Sequence, residues 1–214
     1  DIGWLMSDER VKGLTTNPAL MKKFGISNYK DYAKEVLSYT DKPVSFEVFA
    51  DDHQTIYDQA REIAKWGDNV WVKIPVTLTS GESNGQLIYK LSREGIKLNV
   101  TAVMTLQQIR SATQWLYTRT PAILSIFAGR ISDTGRDPTQ FFTEATRVKH
   151  GKTEILWAST REVYNYYQAE KCGADIITMS PDLIKKLSLK DKDLTEYSRE
   201  TVEMFFRDGQ GLTL

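Results

Sequence analysis

Short apolar runs rich in β-branched residues alternate with stretches of helical periodicity along the whole chain. One helical stretch places Ile56, Ala60, Ile63 and Ala64 on a single face. Seven β-rich runs separate such stretches: residues 11–16, 43–49, 69–76, 98–103, 122–128, 154–158 and 175–179. The pattern repeats about every 25–30 residues, which is the length of one strand-plus-helix unit. It therefore predicts an α/β fold.

Glycine and proline stand at the boundaries of these units. Gly67 and Gly95 follow predicted helices, and Pro18, Pro138 and Pro181 stand where helices should begin. No low-complexity linker or change of composition interrupts the order. We therefore expect residues 1–214 to form one domain.

The predicted strands are apolar enough to be covered on both faces, as parallel strands are. No G-x-G-x-x-G or Walker pattern follows a strand, which disfavours a doubly wound nucleotide-binding sheet. A (β/α)8 TIM barrel is the better interpretation, and it needs eight strands. Because the chain opens at Asp1 on an amphipathic stretch without a methionine, we expect the first strand to lie upstream.

An additional helix is predicted after the last strand, over residues 194–206. Its aromatic residues either cover the bottom of the barrel or form a contact between subunits. The second interpretation predicts a homo-oligomer.

Composition excludes several classes of protein and site. The 28 Lys and Arg residues balance the 28 Asp and Glu residues, so nothing predicts a nucleic-acid or membrane partner. The apolar runs are too short to span a bilayer. The one cysteine, Cys172, and the two histidines exclude a disulfide framework, a cysteine-rich zinc site and a His-rich metal centre. These features predict a soluble, cytoplasmic protein without a metal site.

Polar residues recur near the ends of the predicted strands, where a barrel builds its active site. Thr15 and Asn17 stand two apart, as do Asn99 and Thr101, and residues two apart on a strand share a face. Two further strand ends each carry one polar residue, Glu47 and Ser159. Together with the two pairs, these residues indicate either a polar pocket or side chains that face solvent and cap helices.

Lys73 is the most informative single position, because it lies inside the apolar run V-W-V-K-I-P-V. A lysine there must either extend to water or lose much of its charge. The neutral amine can attack a carbonyl and form a Schiff base. Glu47 and Thr101 are then candidates to position a water for the proton transfers. The alternative is a lysine whose ammonium ends in solvent.

Two arginines suggest an anionic ligand. Arg130 follows a predicted strand, and Arg161 lies just after Ser159, where a helix should begin. A phosphate would accept hydrogen bonds from both guanidinium groups and from the Ser159 hydroxyl. The alternative is that the arginines pair with neighbouring carboxylates such as Asp133 or Glu162.

Taken together, these segments resemble the transaldolase family, and especially its short branch that includes fructose-6-phosphate aldolase. The resemblance runs from Val11 to the C-terminal helix. It is carried by T-T-N-P at 15–18, V-K-I-P-V-T at 72–77, N-V-T at 99–101, F-A-G-R at 127–130 and A-S-T-R at 158–161. The family fold is an eight-stranded α/β barrel, in accord with the repeat.

The resemblance also implies roles for the candidate residues. Lys73 would form the Schiff base, and Glu47 and Thr101 would hold the catalytic water. Arg130 and Arg161 would bind the phosphate. The remaining substrate-binding positions would be Thr15, Asn17, Asn99, Phe127 and Ser159. The family uses an aspartate at the end of its first strand as acid and base, and no position of this sequence is assigned to it.

The implied activity is a cofactor-independent transfer of a dihydroxyacetone unit in the non-oxidative pentose phosphate pathway. The donor would be a ketose phosphate of the sedoheptulose 7-phosphate or fructose 6-phosphate type, and the acceptor an aldose phosphate. Transaldolases carry glutamate and phenylalanine where this chain has Glu47 and Phe127, whereas the aldolase branch carries glutamine and tyrosine. The alternatives are an aldolase that releases free dihydroxyacetone, and a sugar-phosphate-binding barrel without catalysis.

Overall fold

A computed structural model describes residues 2–213 of the chain. Strands and helices alternate over most of this range. In chain order they are α1 Ile2–Ser7, β1 Leu14–Thr15, α2 Pro18–Lys23, α3 Tyr29–Ser38, β2 Val44–Glu47, α4 His53–Ile63, β3 Val70–Pro75, α5 Gly85–Arg93, β4 Leu98–Val103, α6 Leu106–Trp115, β5 Ala122–Ile126, α7 Ala128–Ser132, α8 Thr139–Val148, β6 Thr153–Trp157, α9 Tyr164–Lys171 and β7 Ile176–Ile177.

The seven strands form one sheet in the order β1 to β7, and every neighbouring pair is parallel. They curl into a half-barrel with the helices alternating along it. The predicted α/β class with a TIM-barrel-like fold is therefore confirmed, and each of the seven predicted runs overlaps one strand. The strand expected upstream of Asp1 lies outside the described residues and stays a prediction.

Alternate residues of each strand face opposite sides of the sheet, and each side carries its own apolar cluster. In β3, Val70, Val72 and Ile74 face the helices and belong to the main hydrophobic core with residues such as Ile56 and Ile88. The alternating residues face the other side of the sheet, where a much smaller cluster consists of Trp71, Ile123, Leu156 and Ala158. That inner face is therefore free to carry polar side chains.

Local sequence fixes where several helices begin. Asp52 accepts a hydrogen bond from the Thr55 amide at 2.8 Å and caps α4. Thr105 and Gln108 form a reciprocal capping box at the start of α6. As predicted, a proline stands at the first turn or the cap of α2 and α8.

The chain divides into two compact units between Met179 and Ser180. The second unit holds α10 Pro181–Lys186, a short 3-10 turn Leu187–Leu189 and α11 Leu194–Asp208. The predicted C-terminal helix is therefore present, and no residue of α11 is buried. The expectation of a single domain over residues 1–214 stays a prediction. Within residues 2–213, no helix is both long and apolar enough to cross a bilayer.

Candidate active site

Lys73 and Glu47 form an ion pair on the inner face of the sheet. They stand opposite each other in the register of β2 and β3, and Lys73 Nζ lies 2.9 Å from Glu47 Oε2. Only 11% of the lysine side chain and 14% of the glutamate side chain are exposed. The alternative of a lysine that ends in solvent is therefore wrong: a carboxylate meets its amine inside the half-barrel.

The first strand completes the surroundings of the amine. Lys73 Nζ also donates to the main-chain oxygen of Thr16 at 3.2 Å. Thr16 is held in turn, because its amide and its hydroxyl both donate to the Ser45 carbonyl at 3.0 Å. Its hydroxyl also lies 3.4 Å from Tyr29 Oη, and burial raises the pKa of this phenol to about 12. Tyr29 therefore stays a neutral group beside the site.

Asn99 lies beside Lys73 on β4 and is fully buried. Its Nδ2 donates to Ser45 Oγ at 3.1 Å, and its Oδ1 accepts from Ser125 Oγ at 2.6 Å. These two bonds fix the orientation of the amide. Ser45 and Ser125 are not among the predicted site residues, because their one sequence signal is an inward position on an apolar strand.

Thr101 is the next inward residue of β4 and is 1% exposed. Its Oγ1 has no hydrogen-bond partner among the described residues, which is costly for a buried hydroxyl. The strand becomes irregular directly afterwards: Ala102 has φ 61°, and the pairing of β4 with β5 shifts register between Val100 and Val103. Thr101 is therefore the last inward-facing residue of β4 before the irregularity. Its hydroxyl is left without a hydrogen-bond partner among the described residues.

The two predicted anion-binding arginines lie after β5 and β6: Arg130 is part of α7, and Arg161 is on the loop between β6 and α9. Arg161 pairs with Asp133, with its Nε 3.2 Å from Asp133 Oδ1. This hydrogen bond holds the pKa of the Asp133 carboxyl below its usual range, and the charges of Arg161 and Arg130 contribute. Arg130 is exposed, with its guanidinium carbon 6.0 Å from the centre of the Phe127 ring. The sequence left open whether the two arginines pair with neighbouring carboxylates. Arg161 does so, with Asp133.

Arg161 precedes its helix by a short turn instead of beginning it. Its amide donates to Asn165 Oδ1 at 2.9 Å, and α9 starts at Tyr164. Ser159, two residues earlier, is half-buried and has φ 64°. This left-handed conformation is uncommon for a residue other than glycine.

The two predicted residues of the first strand segment lie at the margin of this arrangement. Thr15 is exposed and stands opposite Ser45 in the register of β1 and β2. Asn17 is half-buried, and its main-chain oxygen accepts from the Met21 amide. The structure thus brings four predicted residues together on β2, β3 and β4, namely Glu47, Lys73, Asn99 and Thr101. It places Arg130 on α7, and Ser159 and Arg161 on the loop after β6.

No group of three or more His, Cys, Asp or Glu side chains within residues 2–213 is arranged to hold a metal ion. The chemistry available in the described inner face is that of an amine, a carboxylate, an amide and hydroxyls.

Known proteins carry the same sequence pattern over nearly the whole chain. The model of the Transaldolase/Fructose-6-phosphate aldolase family matches residues 2–213. The chain belongs to this family. A "Probable transaldolase" of Methanococcus maripaludis is 38% identical over 180 residues, covering 83% of this chain and 80% of the relative. A "Probable transaldolase 2" of Listeria monocytogenes is 35% identical over 196 residues, covering 89% and 86%. Membership of the transaldolase family supports an enzyme of transaldolase type.

A solved structure supports the fold of this family member independently. The crystal structure of inosine 5' monophosphate dehydrogenase from Legionella pneumophila superposes with a TM-score of 0.52 at 12% sequence identity. The match covers 81% of this chain and 58% of the dehydrogenase chain. At this identity the likeness concerns the barrel fold alone.

Proposed function

We propose that this protein is a class I transaldolase in which Lys73 forms a Schiff base with a ketose phosphate. The observation that carries the proposal is the enclosed pair of Lys73 and Glu47, with an amine and a carboxylate 2.9 Å apart inside the half-barrel. A nucleophilic lysine needs a nearby group that accepts its proton, and Glu47 Oε2 lies at hydrogen-bond distance for that transfer.

The reaction then follows from ordinary imine chemistry. The ammonium of Lys73 gives a proton to Glu47, and the free amine adds to the C2 carbonyl of the ketose. Glu47 returns the proton to the new hydroxyl, which leaves as water when the protonated Schiff base forms. The C3–C4 bond breaks as the C4 hydroxyl gives its proton to the Glu47 carboxylate, which the preceding step left without a proton. The electron pair of the bond moves toward the Schiff-base nitrogen, giving an enamine and a free aldehyde.

Transfer reverses these events on a second sugar. The enamine carbon attacks the carbonyl carbon of an aldose phosphate, whose oxygen takes the proton back from Glu47 and becomes a hydroxyl. Water then adds to the Schiff base, and the amine of Lys73 is released. The buried and unpaired hydroxyl of Thr101 is suited to hold that water, and the fixed amide of Asn99 is suited to hold a substrate hydroxyl.

The ends of β5 and β6 would bind the phosphate of either sugar. Arg130 is exposed beside Phe127, while Arg161 would have to exchange Asp133 for the phosphate. Ser159 would add a hydroxyl, and Thr15 and Asn17 would contact the sugar from the first strand segment. We also propose that the enzyme acts in the non-oxidative pentose phosphate pathway, that it is cytoplasmic, and that it forms a homo-oligomer.

Borohydride reduction tests the proposed nucleophile. With fructose 6-phosphate present, reduction should add a dihydroxyacetone-derived fragment to the peptide that contains Lys73, as located by mass spectrometry. Lys73→Arg should abolish the adduct, because a guanidinium is not nucleophilic at neutral pH. Lys97→Arg is the matched control: Lys97 precedes β4 and lies 5.9 Å from the Trp71 ring. Modification of another lysine contradicts the assignment, and no adduct at all favours a binding barrel without catalysis.

A further inference from the structure

The first turn of α7, directly after β5, meets the loop after β6 at Gly129, with no space for a side chain. A Cβ built on Gly129 would lie 1.7 Å from the main-chain oxygen of Ser159 and 3.2 Å from Arg161 Cγ. The backbones are also joined directly, because the Gly129 amide donates to the Ala158 carbonyl at 3.4 Å. Gly129 therefore touches both predicted phosphate-binding residues of the β6 loop.

The Ser159 backbone is held in a conformation that needs such support. A left-handed φ is strained for a residue other than glycine, so the surroundings must impose it. Ala158 donates to the Ile126 carbonyl at 2.8 Å, and Thr160 Oγ1 donates to the Thr178 carbonyl at 2.6 Å. Between these two anchors the Ser159 carbonyl lies over the bare Cα of Gly129.

We propose that Gly129 is a positioning residue for phosphate recognition. Its lack of a side chain lets the β6 loop adopt the conformation that sets the Ser159 hydroxyl and the Arg161 guanidinium relative to Arg130. That the ligand is a phosphate rests on the proposed function. The role of Gly129 follows from its contacts with Ser159 and Arg161 alone.

Space, and not backbone conformation, is the reason for glycine at this position. Gly129 lies in α7 and has no left-handed φ, so alanine could adopt its backbone angles. Gly135 is the opposite case, with φ 76° and nothing within 4 Å of its Cβ direction. In Gly129→Ala, the Ser159 carbonyl would have to retreat by about 1.7 Å or more to reach ordinary contact distance. A displacement of about 1 Å in a binding constellation can cost on the order of 100-fold in rate.

The test compares Gly129→Ala with Gly13→Ala. Gly13 is a matched control because its Cβ would also meet a main-chain oxygen, that of Pro43 at 2.6 Å, but at the opposite end of the strands. Two quantities are measured: the dissociation constant of inorganic phosphate by calorimetry, and the ratio of kcat/KM for fructose 6-phosphate to that for fructose. In Gly129→Ala the dissociation constant should rise at least about 10-fold and the ratio should fall about as much. In Gly13→Ala only the melting temperature should fall.

If Gly129→Ala does not fold, the double variant Gly129→Ala/Ser159→Gly replaces it, with Ser159→Gly alone as its reference. Glycine at 159 lets the loop turn away from the added methyl group, so the protein should fold but bind phosphate more weakly than the reference. Unchanged phosphate binding in the variant that folds, or an equal loss in Gly13→Ala, overturns the inference. Failure of the proposed function is distinct: the unmodified protein then gives no Lys73 adduct, while the calorimetric comparison still decides the role of Gly129.

Discussion

Replacement of Glu47 by glutamine should destabilise the protein far more than loss of an ordinary ion pair. The amide keeps the size of the side chain but removes the charge 2.9 Å from Lys73 Nζ. Among the described residues, the ammonium then keeps the Thr16 carbonyl as its hydrogen-bond acceptor. Breaking a buried pair costs about 3–5 kcal/mol, because the remaining charge stays desolvated. Since both side chains keep a small exposed fraction, we expect the lower end, about 3 kcal/mol.

Thermal unfolding measures this cost. For a chain of this size, 1 kcal/mol corresponds to about 2–4 °C, so the melting temperature of Glu47→Gln should fall by about 6–12 °C at pH 7. Glu62→Gln is the matched control: Glu62 pairs with Lys30 at 2.7 Å, but both side chains are about half exposed. Its loss should stay below about 1 kcal/mol.

A double-mutant cycle identifies the origin of the loss. Lys73→Met alone should also destabilise the protein, because it leaves the Glu47 carboxylate without its partner. Glu47→Gln together with Lys73→Met should cost less than the sum of the single changes, with a coupling free energy of about 2 kcal/mol. Strictly additive costs would refute the reasoning, because they would mean that neither side chain depends on the other's charge.

Four further predictions concern catalysis, binding, pH and assembly. Phe127→Tyr should increase the release of dihydroxyacetone in the absence of an acceptor, because a phenol beside the enamine can donate a proton; if the unmodified protein cleaves fructose 6-phosphate equally fast without acceptor, it is an aldolase. Arg161→Ala should raise KM for phosphorylated donors at least about 10-fold more than for unphosphorylated ones, and equal effects would make Arg161 structural. Hydrogen bonds from Arg147 and Arg110 lower the pKa of Glu144 to about 2, so its stabilising effect is complete above the ordinary carboxyl pKa and is lost as pH falls toward 2. The difference in melting temperature between Glu144→Gln and the unmodified protein should therefore shrink as pH falls below 4.5, and a constant difference would contradict this. Light scattering at micromolar concentration should detect an oligomer, since residues 197–206 expose Val202, Phe205 and Phe206; a monomer would exclude it.

The strands could be predicted from the sequence because strands that pack on both faces consist of short, nearly continuous apolar runs. Five of the seven predicted runs are nevertheless longer than the observed strands, and the runs at β4 and β6 have the same length as the strand. Val48 and Val76 remain buried against the helices after β2 and β3 have ended, so the apolar signal outlasts the hydrogen-bonded pairing. β1 shows the largest difference, with two residues in the strand out of the six predicted.

The candidate site was predictable only where a residue is unusual within its own strand. Lys73 is such a residue, and so is Glu47. Ser45 and Ser125 are not, because a single serine in an apolar run is common, and their partner Asn99 is 54 and 26 residues away in the sequence. The choice of Asp133 as the partner of Arg161 depends on the path of two loops, which periodicity does not describe. The left-handed Ala102 has no sequence signal at all.

Because alternate strand residues face either the helices or the interior of the half-barrel, the two sets can evolve under different constraints. Residues facing the helices form nearly all of the hydrophobic core, whereas the inner face carries only the small cluster around Trp71 beside its polar groups. The coupled Lys73 and Glu47 and the buried hydrogen-bonded set of Asn99, Ser45 and Ser125 are exceptions, because loss of a partner there leaves a buried polar group unsatisfied. A library restricted to the other inward positions of β2 to β6 should yield mostly folded variants with changed donor or acceptor preference. One inserted residue within a strand would exchange the two faces and remove both properties together.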